Sequence, residues 1–336
     1  MNKVTILGAG TWGCALAILL SNNGHEVTLW SALENEARMI NQDRKHMKNL
    51  PGAELPEQVK LTMDMTEACS DKDLIVSAVA SPYVRQTAKI VSPYIKEGQL
   101  IVNVSKGIEE TTLQTLSEIL IEEIPQAVIA VLSGPSHAEE VSCGVPTSCV
   151  VGAGTKELAK FIQDIFMNEV FRVYTSPDII GIELGGALKN VIALAAGIAD
   201  GLGFGDNTKA ALMTRGMAEI SRLGIKMGGK METFTGLSGI GDLFVTCSSK
   251  HSRNRHAGVL MGEGLTMKEA MTEVNQVVEG VFSAKAALKL SKQYDVEMPI
   301  VEQMNMVLFE DKSPKDAVTD LLMRDKRMEY GSLNWQ

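Results

Sequence analysis

Apolar residues follow two rhythms along this chain. In the first half they form short runs at 4–7, 27–30, 74–79, 100–104 and 128–132, each followed by a turn and then by a helical pattern. Such runs, bounded by Gly, Pro and Ser, read as buried strands. Repeated strand–helix alternation predicts a mostly parallel, doubly wound α/β sheet, a Rossmann-type domain that binds ligands beyond the carboxyl ends of its strands. Residues 147–151 and 171–174 read as late strands that finish the sheet. After Ser176-Pro177-Asp178 the period becomes helical, as in 277–290 and 300–308. The expected division is therefore a dinucleotide-binding domain over 1–176 and an all-α substrate domain over 177–336.

One stretch departs from both rhythms. Residues 181–200 are apolar and rich in Gly and Ala, with a single cation, Lys189. On a helix, Gly185 and Gly186 lie one turn before Lys189 and Ala193 one turn after, so small neighbours leave room beside the ammonium. Burial there would lower the lysine's pKa and suit it to proton exchange. The plainer alternative is a lysine that snorkels from a packed helix to water.

Composition changes the picture little. The 336 residues are 45% hydrophobic and 22% charged, ordinary for a globular protein with room for two domains. The net charge of −9 argues against nucleic-acid or non-specific membrane binding, but leaves room for an anionic substrate at a local cation cluster. Five cysteines without Cys-x-x-Cys spacing suggest a reduced, cytoplasmic protein without structural zinc. No signal peptide is expected ahead of the first strand. No membrane insertion is expected either, because Lys189 and Asp200 interrupt the longest apolar run.

Candidate chemistry clusters at turns. Gly8-Ala9-Gly10-Thr11-Trp12-Gly13 stands between a strand and a helix. In that context Gly8 allows the turn, Gly10 lets a pyrophosphate approach, and Gly13 lets helix and strand pack closely. The second strand ends at Trp30-Ser31-Ala32, without the acid that holds the ribose of NAD and without an arginine for the phosphate of NADP. Ser31 could bond either, so the cofactor stays open between NAD and NADP. Lys106 and the loop Gly134-Pro135-Ser136-His137-Ala138 follow later strands; His137 reads as a loop histidine more readily than as a catalytic acid. In the helical half, Asn190 follows Lys189, a glycine-rich turn leads to Asp242 and Thr246, and His251-Ser252-Arg253-Asn254 concentrates donors suited to phosphate. Neither His251 nor His256 has partners at metal spacing, so no metal is expected.

Together these motifs resemble the NAD(P)-dependent sn-glycerol-3-phosphate dehydrogenase family in its bacterial cytosolic form, from about Lys3 to about Met328. The resemblance implies a Rossmann domain followed by a helical domain, a homodimer, and reduction of dihydroxyacetone phosphate to the glycerol 3-phosphate of phospholipids. It implies Lys189 as proton donor and acceptor, with Lys106 touching substrate and cofactor. Gly134, Ser136, Asn190, Ser252 and Asn254 would lie against substrate. Asp242 and Thr246 would position substrate or Lys189. Thr11, Trp12, Ala138, Val277 and Glu279 would lie against cofactor, and Arg253 near both. One departure stands out: many bacterial members carry a basic residue where this chain has Ser31-Ala32. Rival readings are a 3-hydroxyacid or 6-phosphogluconate-type dehydrogenase, and a non-catalytic dinucleotide sensor.

Overall fold

The computed structural model describes residues 1–45, 50, 52–326, 328 and 329. The end of the expected helical domain, 330–336, lies outside the described residues. The first half runs β1 (Lys3–Leu7), α1 (Thr11–Asn22), β2 (Glu26–Trp30), α2 (Glu34–Asp43), β3 (Lys60–Thr62), α3 (Met65–Cys69), β4 (Leu74–Ser77), α4 (Val84–Val91) and β5 (Leu100–Asn103). It continues with α5 (Leu116–Glu123), β6 (Val128–Ser133), α6 (Ala138–Ser142), β7 (Thr147–Gly152), α7 (Lys156–Phe166) and β8 (Phe171–Ser176). The eight strands form one sheet in the order β3-β2-β1-β4-β5-β6-β7-β8. All neighbours are parallel except β6 and β7. The chain reverses its direction of winding between β1 and β4, which is where such sheets open a crevice.

Each apolar run is buried because it is covered on both faces. One core packs β1, β2 and β4 against α1 and α7; another packs α3, α4 and α5 on the opposite face. Strand β3 escaped the sequence reading. Its three residues sit at the sheet edge and are too few to show a period. The segment after β4 opens with a 3-10 turn, Ser81–Tyr83, with Pro82 in its first turn, ahead of α4.

The second half is helical: α8 (Ile179–Gly201), α9 (Asp206–Lys226), α10 (Met231–Phe234), a π-helical turn at Leu237–Gly241, and α11 (Asp242–Ser248). There follow α12 (Arg253–Gly262), α13 (Met267–Val274), α14 (Glu279–Gln293), α15 (Pro299–Phe309) and α16 (Pro314–Leu322). Every residue of α8 from Gly181 to Ala199 is buried, and a third core forms around it.

Helix α8 corrects two expectations. Its 23 residues have a mean hydropathy of 1.6 over the best window, long and apolar enough to cross a membrane despite Lys189, yet 89% of that window is buried in protein. Most of its small residues make room for other parts of the chain. A Cβ on Gly197 would lie 2.1 Å from the Arg255 carbonyl oxygen, and one on Gly258 would lie 2.2 Å from that of Leu194. Gly201 and Gly262 are equally tight against Val259 and Ile198, at 2.2 and 2.4 Å. Helices α8 and α12 thus touch backbone to backbone, which side chains of any size would prevent.

Candidate active site

A cleft of about 740 Å³ lies along the carboxyl ends of the strands and is closed from the other side by α8, α11, α12 and the start of α14. Gly8, Gly10, Thr11 and Trp12 line it. Gly8 has φ +109°, and a Cβ there would meet the Ala78 carbonyl at 2.9 Å, so the turn demands glycine. At Gly10 a Cβ would meet nothing within 4 Å, so that backbone faces open space. Helix α1 starts there with no side-chain cap and no acid in its first turn, leaving its N–H groups and positive dipole end to a ligand. Gly13 does not line the cleft. A Cβ on it would strike the Gly8 carbonyl at 1.9 Å, so it serves packing alone.

At the end of β2, Ser31 lines the cleft, but its hydroxyl donates to Glu36 Oε2 at 2.6 Å while accepting the Leu33 N–H at 3.1 Å. The expectation that this end of the sheet lacks an acid is therefore corrected. Glu36, from the first turn of α2, reaches back five residues and also lines the cleft.

The helical side brings two lysines to one carboxylate. Lys189 Nζ donates to Asp242 Oδ1 at 2.5 Å and to Thr246 Oγ1 at 2.6 Å. Lys106 Nζ, on the segment after β5, donates to Asp242 Oδ2 at 2.7 Å and to the Gly134 carbonyl at 3.0 Å. An ammonium has three N–H donors, so each lysine keeps one, and both lysines line the cleft. Asp242 is 1% exposed and does not line the cleft; it works from behind. Thr246 in turn donates to the Asp242 carbonyl at 2.6 Å.

Two glycines of α8 build this arrangement. Gly186 lets the methylenes of Lys106 lie against the helix, and Gly185 admits the Ser238 carbonyl of the π turn, which a Cβ would meet at 2.4 Å. The space beside Lys189 is thus largely filled by its own partners. Burial lowers the Lys189 pKa to about 8; Asp242 opposes the shift, and the Lys106 charge adds to it. The alternative of a lysine reaching water is excluded by its 5% exposure and its two partners.

Two expectations on the neighbouring loop change. Gly134 does not line the cleft; its contribution is the carbonyl that holds Lys106. Ser136, His137 and Ala138 do line it. Burial, with the two lysine charges, lowers the His137 pKa to about 4, so the ring is neutral. Its buried Nε2 has no hydrogen-bond partner among the described residues, which the sequence gave no means of seeing.

Helix α12 opens at the opposite wall. Ser252 caps it, its hydroxyl accepting the Arg255 N–H at 3.2 Å, and Ser252, Arg253 and Asn254 all line the cleft. The two arginines of this turn part company. Arg255 pairs with Asp200 at 2.6 Å, whereas exposed Arg253 meets Gln276 at 3.4 Å. Asn254 donates to Asn190 Oδ1 at 3.0 Å and accepts the Gly280 N–H at 2.8 Å, so the Asn190 oxygen is turned toward Asn254 and, among the described residues, its amide nitrogen has no hydrogen-bond acceptor. Val277 and Glu279 also line the cleft. The Glu279 carboxylate accepts from both the hydroxyl and the N–H of Ser81, 198 residues away, and so ties the helical half to the sheet half. Glu183 makes a second tie, accepting the N–H and hydroxyl of Ser117 at the start of α5.

Comparison with known proteins agrees with this geometry. The family described as NAD-dependent glycerol-3-phosphate dehydrogenase matches through its N-terminal part over residues 3–159 and its C-terminal part over 178–319. A glycerol-3-phosphate dehydrogenase [NAD(P)+] of Agathobacter rectalis is 58% identical over 336 residues, covering 100% of both chains. One of Bacillus subtilis is 51% identical, over 99% of this chain and 97% of its own. The crystal structure of glycerol-3-phosphate dehydrogenase from Coxiella burnetii superposes with a TM-score of 0.93 at 36% identity, covering 96% of this chain and 99% of that one. With both halves matched, at this identity and nearly full length, the chain belongs to the NAD-dependent glycerol-3-phosphate dehydrogenase family.

Proposed function

We propose that this chain reduces dihydroxyacetone phosphate to sn-glycerol 3-phosphate with a nicotinamide cofactor, NAD or NADP, and runs the reverse oxidation through the same groups. The observation that carries the reading is a single buried carboxylate, Asp242, holding Lys189 and Lys106 side by side in a cleft that Arg253 also lines. The open face at Gly10 and the uncapped start of α1, with Thr11 and Trp12, fit a dinucleotide pyrophosphate. Ala138, Val277 and Glu279 fit the remainder of the cofactor.

A bound reduced nicotinamide supplies the hydride. Lys189 directs its remaining N–H at the C2 oxygen of the substrate, stabilises the charge that grows there and delivers the proton. A pKa of about 8 leaves the amine mostly charged at neutral pH yet able to release that proton. Lys106 adds a second cation. Asp242 offsets one of the two charges, so the pair keeps a net positive charge where the oxyanion forms. Arg253 and the N-terminal amides of α12, with Ser252 as cap, grip the phosphate. Asn190 offers its amide nitrogen to the substrate, held in place by Asn254. Ser136 and the Gly134 carbonyl keep the Lys106 side in place. Anchoring the phosphate holds the carbonyl over the nicotinamide.

The reading extends to a dinucleotide-binding part, 1–176, and a substrate part, 177–336, in a cytoplasmic homodimer whose product enters phospholipid synthesis. The test is the absorbance of the reduced cofactor, followed with dihydroxyacetone phosphate and with unphosphorylated keto acids. Turnover restricted to the phosphorylated ketone is expected. Faster turnover of a keto acid overturns the reading in favour of a hydroxyacid dehydrogenase.

A further inference from the structure

We infer that Ser81, in the sheet half, is a positioning residue that sets the start of α14 and thereby couples binding of the dinucleotide to binding of the phosphorylated ketone. This rests on the reading that the cleft holds both. Ser81 gives its N–H to Glu279 Oε1 at 3.3 Å and its hydroxyl hydrogen to Glu279 Oε2. A carboxylate has about four acceptor positions, so about two remain. Glu279 lines the cleft, and those positions suit the N–H and O–H donors of the nicotinamide half. That half is assigned by place: a Cβ on Gly107, the residue after Lys106, would lie 3.7 Å from Glu279 Oε2. Burial pushes the Glu279 pKa up, whereas the Ser81 donors and the Arg253 charge push it down, which favours the ionised, accepting form.

The effect does not stop at Glu279. The next residue, Gly280, gives its N–H to Asn254 Oδ1 at 2.8 Å, and Asn254 gives its amide hydrogen to Asn190 Oδ1 at 3.0 Å. A Cβ on Gly280 would meet the Asn190 carbonyl oxygen at 2.5 Å, so the start of α14 lies directly on α8 beside Lys189. Residues 279 and 280 are thus held by the sheet half on one side and hold two cleft-lining amides on the other. Ser81 itself has little freedom. It is 9% exposed, and a Cβ on Gly107 would come within 2.4 Å of its own Cβ. A cofactor that settles on Glu279 therefore orders Asn254 and Asn190 for the substrate, and the substrate favours the cofactor by the same factor. Ser117 supplies a matched comparison. It gives the same two hydrogens to the buried Glu183 of α8, and neither of that pair lines the cleft.

Titration calorimetry of the whole protein with NADH, alone and with saturating sn-glycerol 3-phosphate, tests this without turnover, since both ligands are already reduced. The wild-type protein should bind NADH about tenfold more tightly when sn-glycerol 3-phosphate is present. Ser81→Ala should weaken NADH about tenfold, cut the coupling to about twofold or less, and leave AMP, which lacks the nicotinamide half, within about twofold. In turnover it should raise the KM values for NADH and dihydroxyacetone phosphate, with kcat lowered less than about threefold. Ser117→Ala should lower the melting temperature as much as Ser81→Ala does, yet keep wild-type affinity and coupling. Undiminished coupling in Ser81→Ala, equal losses of affinity in the two variants, an equal loss for AMP, or a loss confined to kcat overturns the inference. Coupling that Ser81→Ala abolishes, in a protein that does not turn over dihydroxyacetone phosphate, would support the role of Ser81 and sink the proposed reaction. A wild-type protein that binds NADH without coupling overturns the inference alone, and one that binds neither ligand overturns both.

Discussion

Two glycine-rich regions of this molecule use the same residue for opposite ends. In the loop between β1 and α1, Gly10 leaves its backbone facing empty space, so what fills the gap comes from outside the chain. In the seam between α8 and α12, Gly197, Gly201, Gly258 and Gly262 leave gaps that the other helix's backbone already fills, at 2.1–2.4 Å from where a Cβ would stand. Both patterns look alike in sequence. They differ in what a methyl group would strike, and so in whether a substitution costs binding or folding.

The sharpest way to test the division is to leave both regions intact and remove the group the seam positions. Lys189→Met should lower kcat by about 1000-fold or more, since both proton delivery and charge stabilisation are lost, while thermal stability and NADH binding stay close to wild type. A variant with full turnover would take Lys189 out of the chemistry.

The comparison itself is tested by a pair of alanines. Gly258→Ala places a Cβ 2.2 Å from the Leu194 carbonyl and should cost about 3 kcal/mol in denaturant unfolding, even though alanine is the better helix former. Gly10→Ala has an allowed φ of −66° and open space, and should leave stability within about 0.5 kcal/mol while weakening dinucleotide binding about tenfold or more. The reverse outcome, a fragile Gly10→Ala and a robust Gly258→Ala, would erase the difference between the two glycine-rich regions.

Arg253 depends on the seam for its placement but not for its contacts. Arg253→Ala should raise KM for dihydroxyacetone phosphate by about 10–100-fold with a smaller change in kcat, as loss of a charged phosphate contact implies. Arg255→Ala, by contrast, removes an ion pair with Asp200 and should leave KM nearly unchanged. Equal effects of the two would erase the difference between them.

A last test lies outside the cleft lining and touches stability alone. Glu219 of α9 is 2% exposed and accepts the N–H groups of Ile300 and Val301 at the start of α15. Burial raises its pKa to about 7, above its ordinary 4.5. The folded state holds this proton more tightly than the unfolded chain does. The resulting stability is therefore full below 4.5 and is lost as pH rises through about 7. Glu219→Gln should flatten that part of the stability profile, by up to about 3 kcal/mol between the two limits. Identical profiles for both proteins would discard the assignment.

What the sequence revealed follows from how local each signal is. Strands β1, β2, β4, β5 and β6, the loop of residues 8–13 and Lys189 on its helix all stand out within a few residues. The joining of Lys106 to Asp242, 136 residues on, does not, and neither does that of Ser81 to Glu279. Periodicity reports which face of an element is apolar, not which distant element covers it. The small residues around Lys189 were readable as a gap, while the identity of what fills it, a π turn and another lysine, depends on backbone packing across the fold. Glu36 was missed for a similar reason: the expected position was a strand end, and the acid arrives from the helix that follows.

The hydrogen bonds of Lys189 have one more consequence. Thr246 gives its own hydrogen to the Asp242 carbonyl, so toward the lysine it can only accept, and the Asp242 carboxylate can only accept as well. A neutral amine keeps two hydrogens, enough to satisfy both. Its lone pair then has one direction left, into the cleft. Loss of the third hydrogen calls for no rotation and no new partner, so on the proposed reading the amine that ends a reduction is already arranged as the base that begins an oxidation.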